Sequence, residues 1–248
     1  MATSSITKRF VIRDEKTCLA LAKALKASKK MLEKKNEKFN FWQFLWRGQE
    51  KIKQLLVKLS ELIDDLGLDS VIEILDRFRC TKDGDIEDFL RYKAIKFEKQ
   101  GLCTTYLILN EDLLIKNAKT ITKDCFFVEG YFSLVHKSIE FYSDISKSKR
   151  KKIFCGLDKG KNGFSTVLIA QLGKFIDGDS VSTIRIDDIM KHALDIIIKA
   201  WELIVFKTIL VECRDNAKLT SMYERYEFKE FQHTEDGEHP IQMIRYLH

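Results

Sequence analysis

The sequence is short of the features that mark membrane, disulfide-linked and disordered proteins. It has one proline among 248 residues, and no stretch approaches the ~20 uninterrupted apolar residues of a membrane helix. Six cysteines lie scattered through apolar contexts without a C-x-x-C pair, so we expect reduced core residues. The amino terminus MATSSITKRF lacks an apolar signal core, so we expect a cytoplasmic protein that does not contact membranes.

The sequence also lacks the common motifs for metals and nucleotides. Its five histidines show no metal-ligand spacing, and neither a phosphate-binding loop nor a dinucleotide fingerprint is present. We therefore expect no metal site.

Positive charge is concentrated at the front of the chain. The whole sequence has 43 Lys and Arg against 37 Asp and Glu, and the first 60 residues hold 15 of the former and 5 of the latter. Clustered cations bind polyanions by displacing counterions from phosphates, so this segment fits a nucleic acid or an acidic partner. A lysine-rich solvated helix surface would explain the same charge.

The first 66 residues have the pattern of a basic helical extension. Lys8 to Asp14 alternates like a short strand, and from Phe41 apolar residues recur at three- and four-residue steps as far as Gly67, which predicts an amphipathic helix. We therefore predict an extension over 1–66 and a main domain over 67–248. Such an extension could instead form a nucleic-acid-binding arm that resembles a ribbon-helix-helix and makes a homodimer.

Strand and helix patterns alternate through the main domain. Asp85 is the expected cap of one helix, and Gly101 its exit. The predicted elements in chain order are a helix or strand at 70–78, a helix at 84–101, strands at 104–110 and 126–141, a basic loop at 147–152, a strand at 166–174, a helix at 186–204, a strand at 207–213, a helix at 216–226, and strands at 228–234 and 239–247.

Two of these strands are predicted to lie side by side and parallel. The order from Thr166 to Tyr226 is strand, helix, strand, helix, and a right-handed crossover makes such strands neighbours. Ligands then bind at their carboxyl ends, which here are Gln171 and Cys213. Two helix amino termini with unpaired N–H groups reach the same edge.

The stretch ILVECRDNAKLTSMYERYEF, from Ile209 to Phe228, resembles the strand, Asn, helical Tyr and final aromatic of the GCN5-related N-acetyltransferases. The resemblance covers residues 70–248 in the expected order of elements. It implies an α/β (α+β) fold with a mixed, mostly antiparallel central sheet that contains a splayed parallel strand pair, here preceded by the helical extension.

The resemblance also implies an activity, in which an amine attacks acetyl-CoA directly in a ternary complex. Tyr223 would protonate the leaving sulfur, with Tyr226 as the competing candidate, which we expect to turn toward Phe228 and the core. Glu129 and Glu212 are candidate bases for the amine. The predicted cofactor-binding residues are the edge of the first parallel strand (Leu168, Ile169, Ala170 and Gln171), the segment before the long helix (Ser182, Thr183, Ile184, Arg185, Ile186 and Asp187), and Asn216 with Tyr223.

The sequence departs from the family pattern in two places. Ile186 stands where a glycine of the pyrophosphate loop is expected, and Asp187 and Asp188 follow it; carboxylates suit a helix amino terminus but repel phosphate. Arg185 could compensate for that charge. Glu227 replaces the glycine that usually precedes the terminal Phe, which predicts an altered bend.

Two functions stay open at this stage. The first is an acetyl-CoA-dependent N-acetyltransferase with an unknown amine acceptor, and the basic segments fit an aminoacyl-tRNA or a nucleic-acid-bound protein. The second is a non-catalytic binding protein on the same scaffold, which interacts with nucleic acid through the basic front segment.

Overall fold

The computed structural model describes residues 54–110, 126–141, 146–154, 162–204, 206–232 and 240–247. The predicted strand at Lys8 to Asp14 and most of the predicted extension lie outside these residues. The helices are α1 (Leu59–Leu66), α2 (Leu68–Leu75), α3 (the contiguous segments Gly84–Asp88, Phe89–Lys93 and Ala94–Lys99), α4 (Lys147–Phe154), α5 (Ile186–Leu203) and α6 (Ala217–Glu224). The strands are β1 (Gln54–Lys58), β2 (Thr104–Asn110), β3 (Val128–Glu140), β4 (Gly163–Lys174), β5 (Ile176–Asp177), β6 (Ser180–Val181), β7 (Thr208–Cys213), β8 (Lys229–Gln232) and β9 (Ile241–Tyr246).

Seven strands form one mixed sheet in the order β1-β2-β3-β4-β7-β9-β8. Neighbouring strands pair antiparallel except β4 and β7, which pair parallel, as the sequence predicts. Helices cover both faces: α1, α2 and α3 pack over β2 and β3 on one face, and α5 packs on the other. The predicted fold class is therefore confirmed.

The first strand corrects the predicted helix between Phe41 and Gly67. Gln54–Lys58 is a strand that pairs antiparallel with β2, and the described helix of this region is Leu59–Leu66. The spacing of Leu55, Leu56 and Leu59 fits a helix, but pairing with the edge of β2 places leucines on both faces of the sheet, where each is partly buried. The division into two units at residue 66 stays a prediction.

Two local predictions about helices are wrong. Asp83, not Asp85, caps α3, since its side chain accepts a hydrogen bond from the Asp85 amide at 3.1 Å. The basic loop at 147–152 is the helix α4, which is anchored by the buried Ile153. Lys149 supports α4 further, because its ammonium donates to the Phe231 carbonyl at 3.0 Å. Gly101 has φ of +68°, as a helix exit requires.

Candidate active site

The parallel pair β4 and β7 separates before either strand ends. The pairs are Val167 with Ile209, Leu168 with Leu210, and Ile169 with Val211. Beyond the last pair, β4 runs on to Lys174 against β3, while β7 runs on to Cys213 against β9. The two strands therefore diverge at their carboxyl ends and leave a gap between them.

A bulge in β4 marks the start of this gap. Leu134 of β3 pairs with Ile169 and Ser133 pairs with Gln171, so that Ala170 has no partner on β3. Ala170 also follows the last residue of β4 that pairs with β7. It is thus outside both described ladders, and bulges of this kind re-aim backbone and side chains next to functional sites.

Only part of the stretch of β4 that is predicted to bind the cofactor borders the gap. Leu168 and Ile169 lie inside the parallel ladder and are buried, so their edge toward β7 is already occupied by a strand. Ala170 and Gln171 lie past the ladder, and they are the residues of the predicted edge that face the gap.

Tyr223 lies on α6, the helix that follows β7 directly. Its ring packs against the core between the sheet and α5, and it meets Phe228 edge-on with ring centroids 5.9 Å apart. Burial, together with the neighbouring Cys213 thiol, raises the pKa of Tyr223 to about 12. Tyr223 as a whole is partly buried.

Tyr226 packs against the core cluster that contains Phe228, as expected, but its ring is not the one that meets the Phe228 ring. Its hydroxyl donates to the Asp187 carboxylate in the first turn of α5, and Arg225 lies 3.5 Å from the same carboxylate. Burial and the hydrogen bond to Asp187 raise the pKa of Tyr226. Tyr226 therefore joins α6 to α5, while the contact with Phe228 belongs to Tyr223.

The two candidate bases are both engaged by other side chains. Glu212 lies on β7, where Lys137 donates to both of its oxygens at 2.8 and 2.7 Å and Gln242 donates at 2.7 Å. Glu129 is 2% exposed and accepts a hydrogen bond from Asn110 at 2.6 Å. The Thr183 hydroxyl also donates to Glu129, at 3.3 Å, so this carboxylate holds the segment that leads into α5. Their catalytic role stays a prediction.

Asn216 caps α6. Its side-chain oxygen accepts a hydrogen bond from the Lys218 amide at 2.9 Å, which satisfies one of the unpaired N–H groups of the first turn. The sequence predicts Asn216 as a cofactor-binding residue, and the structure assigns its side chain to the helix end next to the gap.

A cavity that the sequence did not predict opens beside the bulge. Its volume is about 420 Å³, and it lies between α3 and the sheet. Ala170 and Gln171 form one wall, and the rest is mainly apolar. The lining residues are Phe89, Lys93, Phe97, Leu102, Cys103, Val135, Ala170 and Gln171. The cavity and the gap thus meet at the same two residues of β4. The sequence does not predict this meeting, because the residues that line the cavity come from four separate parts of the chain.

No helix among the described residues is long and apolar enough to cross a membrane. The described part of the chain also has no group of three or more His, Cys, Asp or Glu side chains that could hold a metal ion.

Comparisons with known proteins identify the fold. No family model matches the sequence, and a search of curated proteins gave no match. Among solved structures, a tyrosine-to-phenylalanine mutant of KacT matches with a TM-score of 0.55 and 14% identity, over 78% of this chain and 95% of that chain. AtaT complexed with acetyl-methionyl-tRNAfMet matches with a TM-score of 0.53 and 17% identity, over 78% and 95%. AtaTR bound with AcCoA matches with a TM-score of 0.51 and 18% identity, over 78% and 93%.

These neighbours have the fold of the GCN5-related N-acetyltransferases. The present chain has that same fold, with its parallel pair β4 and β7 inside a mostly antiparallel sheet. The predicted resemblance is therefore confirmed for the architecture.

Proposed function

We propose that the protein is an N-acyltransferase that moves an acetyl group from acetyl-CoA to an amine by direct attack in a ternary complex. The observation that carries this proposal is the separation of β4 and β7 after the Ile169 and Val211 pair, with a partly buried phenol, Tyr223, on the adjoining helix. The structural neighbour AtaTR was solved with AcCoA bound, which supports acetyl-CoA as the donor.

The gap fits the extended arm of the donor. An extended ligand can add to an unpaired sheet edge through main-chain hydrogen bonds, and Ala170 and Gln171 supply such an edge beyond the ladder. When bound there, acetyl-CoA supplies an acyl group activated as a thioester. Backbone N–H groups at the bulge would stabilise the oxyanion that develops during attack.

Tyr223 is suited to hold a proton for the leaving sulfur. Its raised pKa, about 12, keeps the Oη proton in place at every pH at which a protein of this kind works. As the C–S bond breaks, the sulfur keeps the electron pair and Tyr223 would donate its proton to it; because a thiol has a pKa of ~8.5, below that of Tyr223, this transfer is uphill until the phenolate is protonated again. Tyr223 would then recover its proton from solvent.

The acceptor amine would approach from the cavity beside Ala170. Neither Glu129 nor Glu212 is among the residues that line this cavity. An α-amino group, with a pKa of ~8, is partly neutral near neutral pH and can attack without a dedicated base, its proton passing to water. The apolar wall formed by Phe89, Phe97 and Leu102 fits a small apolar group next to the amine.

A polyanionic acceptor is supported by α4. This helix carries five cationic side chains in eight residues, and Lys147, Lys151 and Lys152 are exposed. AtaT was solved in complex with acetyl-methionyl-tRNAfMet, so an aminoacyl-tRNA is the acceptor that we test first. Changing Lys147, Lys151 and Lys152 together to Glu should lower acetylation of aminoacyl-tRNA by at least about tenfold and leave acetylation of the same free amino-acid amide unchanged.

Calorimetry with acetyl-CoA followed by an acetyl-transfer assay tests the proposal. Tyr223→Phe should lower the transfer rate by about 100-fold or more and leave the donor Kd unchanged. Tyr106→Phe is the matched control, since Tyr106 is a partly buried tyrosine that stacks on Phe132 and lies on β2, two strands away from β4. Equal activity of wild type and Tyr223→Phe would disprove the role of the phenol.

The second candidate function is a binding protein on this scaffold without turnover. The carboxylates of Asp187 and Asp188 at the amino terminus of α5 favour this binding function, because their negative charge repels the phosphates of acetyl-CoA. Absence of heat with millimolar acetyl-CoA would leave only this candidate. The basic front segment that it would use lies outside the described residues.

A further inference from the structure

The segment that leads into α5 has already used much of its backbone hydrogen-bonding capacity. The Ser182 amide donates to the Phe175 carbonyl at 3.1 Å, the Ile184 amide to the Ser182 hydroxyl at 3.2 Å, and the Arg185 amide to the Asp188 carboxylate at 3.1 Å. Amides that are paired in this way are not available to a phosphate. That the segment 182–187 binds the cofactor through its amides stays a prediction, and the amides of Ser182, Ile184 and Arg185 are already paired.

The first turn of α5 also carries its own anions. Asp187 accepts the hydroxyl of Tyr226 and lies 3.5 Å from the Arg225 guanidinium. Asp188 caps the helix through the Arg185 amide. A carboxylate in the first turn satisfies the positive end of the helix dipole, which is the same electrostatic feature that would otherwise attract a phosphate.

The nearby cations are engaged by these carboxylates. The Arg185 guanidinium, predicted to compensate for the charge of Asp187 and Asp188, pairs with Asp188 at 3.5 Å. Arg225 pairs with Asp187. A diphosphate at this helix end would have to compete with two carboxylates for both arginines.

Resting on the proposed function, we infer that Asp187 is a specificity determinant that makes the protein indifferent to the nucleotide part of its donor. Affinity comes from the acyl-pantetheine arm in the gap past Ile169 and Val211, and the diphosphate contributes little. The substrate class is then a pantetheine thioester, with or without the adenosine diphosphate portion.

Isothermal titration of the full chain with acetyl-CoA and with S-acetyl-pantetheine, at about 50 and 300 mM NaCl, tests this inference. We expect the two Kd values to agree within about threefold and the acetyl-CoA Kd to change little with salt. Acetyl-CoA binding that is tighter by about 30-fold or more would overturn the inference and leave the acyltransferase proposal intact. Failure of both thioesters to bind at millimolar concentration would overturn the inference and the proposed function together.

An Asp187→Asn variant gives the complementary measurement. Removing the charge should tighten acetyl-CoA binding by at least about fivefold and leave S-acetyl-pantetheine binding unchanged. Glu202→Gln makes the same change of charge at an exposed position near the other end of α5 and should alter neither Kd. An equal effect of Asp187→Asn on both thioesters would overturn the inference, and the wild-type titration decides it even if this variant does not fold.

Discussion

Ile169 of β4 and Val211 of β7 form the last pair of the only parallel ladder in the described sheet. Both strands continue past this pair, each held by a different antiparallel neighbour, β3 for one and β9 for the other. The opening is therefore built into the strand pairing and does not depend on a mobile loop.

The protonation state of Tyr223 gives the first prediction. A phenol normally titrates near pH ~10, and burial raises the pKa of Tyr223 to about 12. The difference in absorbance at 295 nm between wild type and Tyr223→Phe should therefore stay flat until well above pH 10. The neutral form is favoured in the folded state, so any stability that this group contributes is present below pH 10 and is lost as the pH rises toward 12. A phenolate step near pH 10 in the difference titration would contradict the buried environment.

The cavity beside Ala170 gives the second prediction. Leu102 is 53% exposed at its rim, so Leu102→Trp should partly fill the cavity without unfolding the protein. We expect the KM for the acceptor to rise several-fold while the donor Kd stays the same, because the proposal assigns the donor to the gap and the acceptor to the cavity. Leu203→Trp makes the same change at a leucine that is 85% exposed at the end of α5. If both variants raise KM equally, the cavity is not the acceptor site.

The ion pair between Lys137 and Glu212 gives the third prediction. The two side chains join β3 to β7 across β4, at 2.7 Å, and Glu212 is 20% exposed. Glu212→Gln removes the charge that Lys137 faces and one of its two acceptor oxygens, and we expect a loss of about 1 kcal/mol in the free energy of unfolding. Lys137→Met together with Glu212→Gln should recover part of this loss in urea titrations. Additive losses would mean that the pair does not stabilise the sheet.

Gly173 gives the fourth prediction. A Cβ atom at this position of β4 would lie 2.2 Å from the Tyr131 ring and 2.7 Å from Ile86. Tyr131 is fully buried and its hydroxyl donates to the Ile86 carbonyl at 2.6 Å, so neither side chain can move aside easily. Gly173→Ala should therefore destabilise the fold by about 1–3 kcal/mol. Gly84→Ala is the control: nothing lies within 4 Å of its Cβ position, and alanine favours the helix there, so thermal unfolding should show no loss.

The sequence predicts the parallel pair well because a strand, helix, strand order restricts the topology. The segment from Thr166 to Tyr226 has this order, and the structure confirms that β4 and β7 are neighbouring parallel strands. The length of the ladder does not follow from the same reasoning, since it depends on where β3 and β9 hold the two strands. Leu168 and Ile169 are therefore placed in the cofactor edge by the resemblance but lie inside the ladder.

The errors in secondary structure come from tertiary contacts that override local periodicity. Gln54–Lys58 has apolar spacing that fits a helix, but it forms a strand because it pairs with the edge of β2. The segment Lys147–Phe154 has the composition of a solvated loop, yet the burial of Ile153 and the bond from Lys149 to Phe231 hold it as a helix. At Glu227 the backbone adopts a conformation that the residue type disfavours. Glu227 stands where the family pattern has a glycine, and its φ is +67°. The backbone therefore keeps the bend.

The middle of α3, Phe89–Lys93, is wound as a single wide turn of the π type. Such a turn adds one residue to a helix and shifts the registry of everything after it. Phe89, Lys93 and Phe97, each four positions apart, consequently share one wall of the cavity. In a regular α-helix Phe97 would lie about 80° around the axis from Phe89, so the wider turn is what returns both rings to the wall of the cavity.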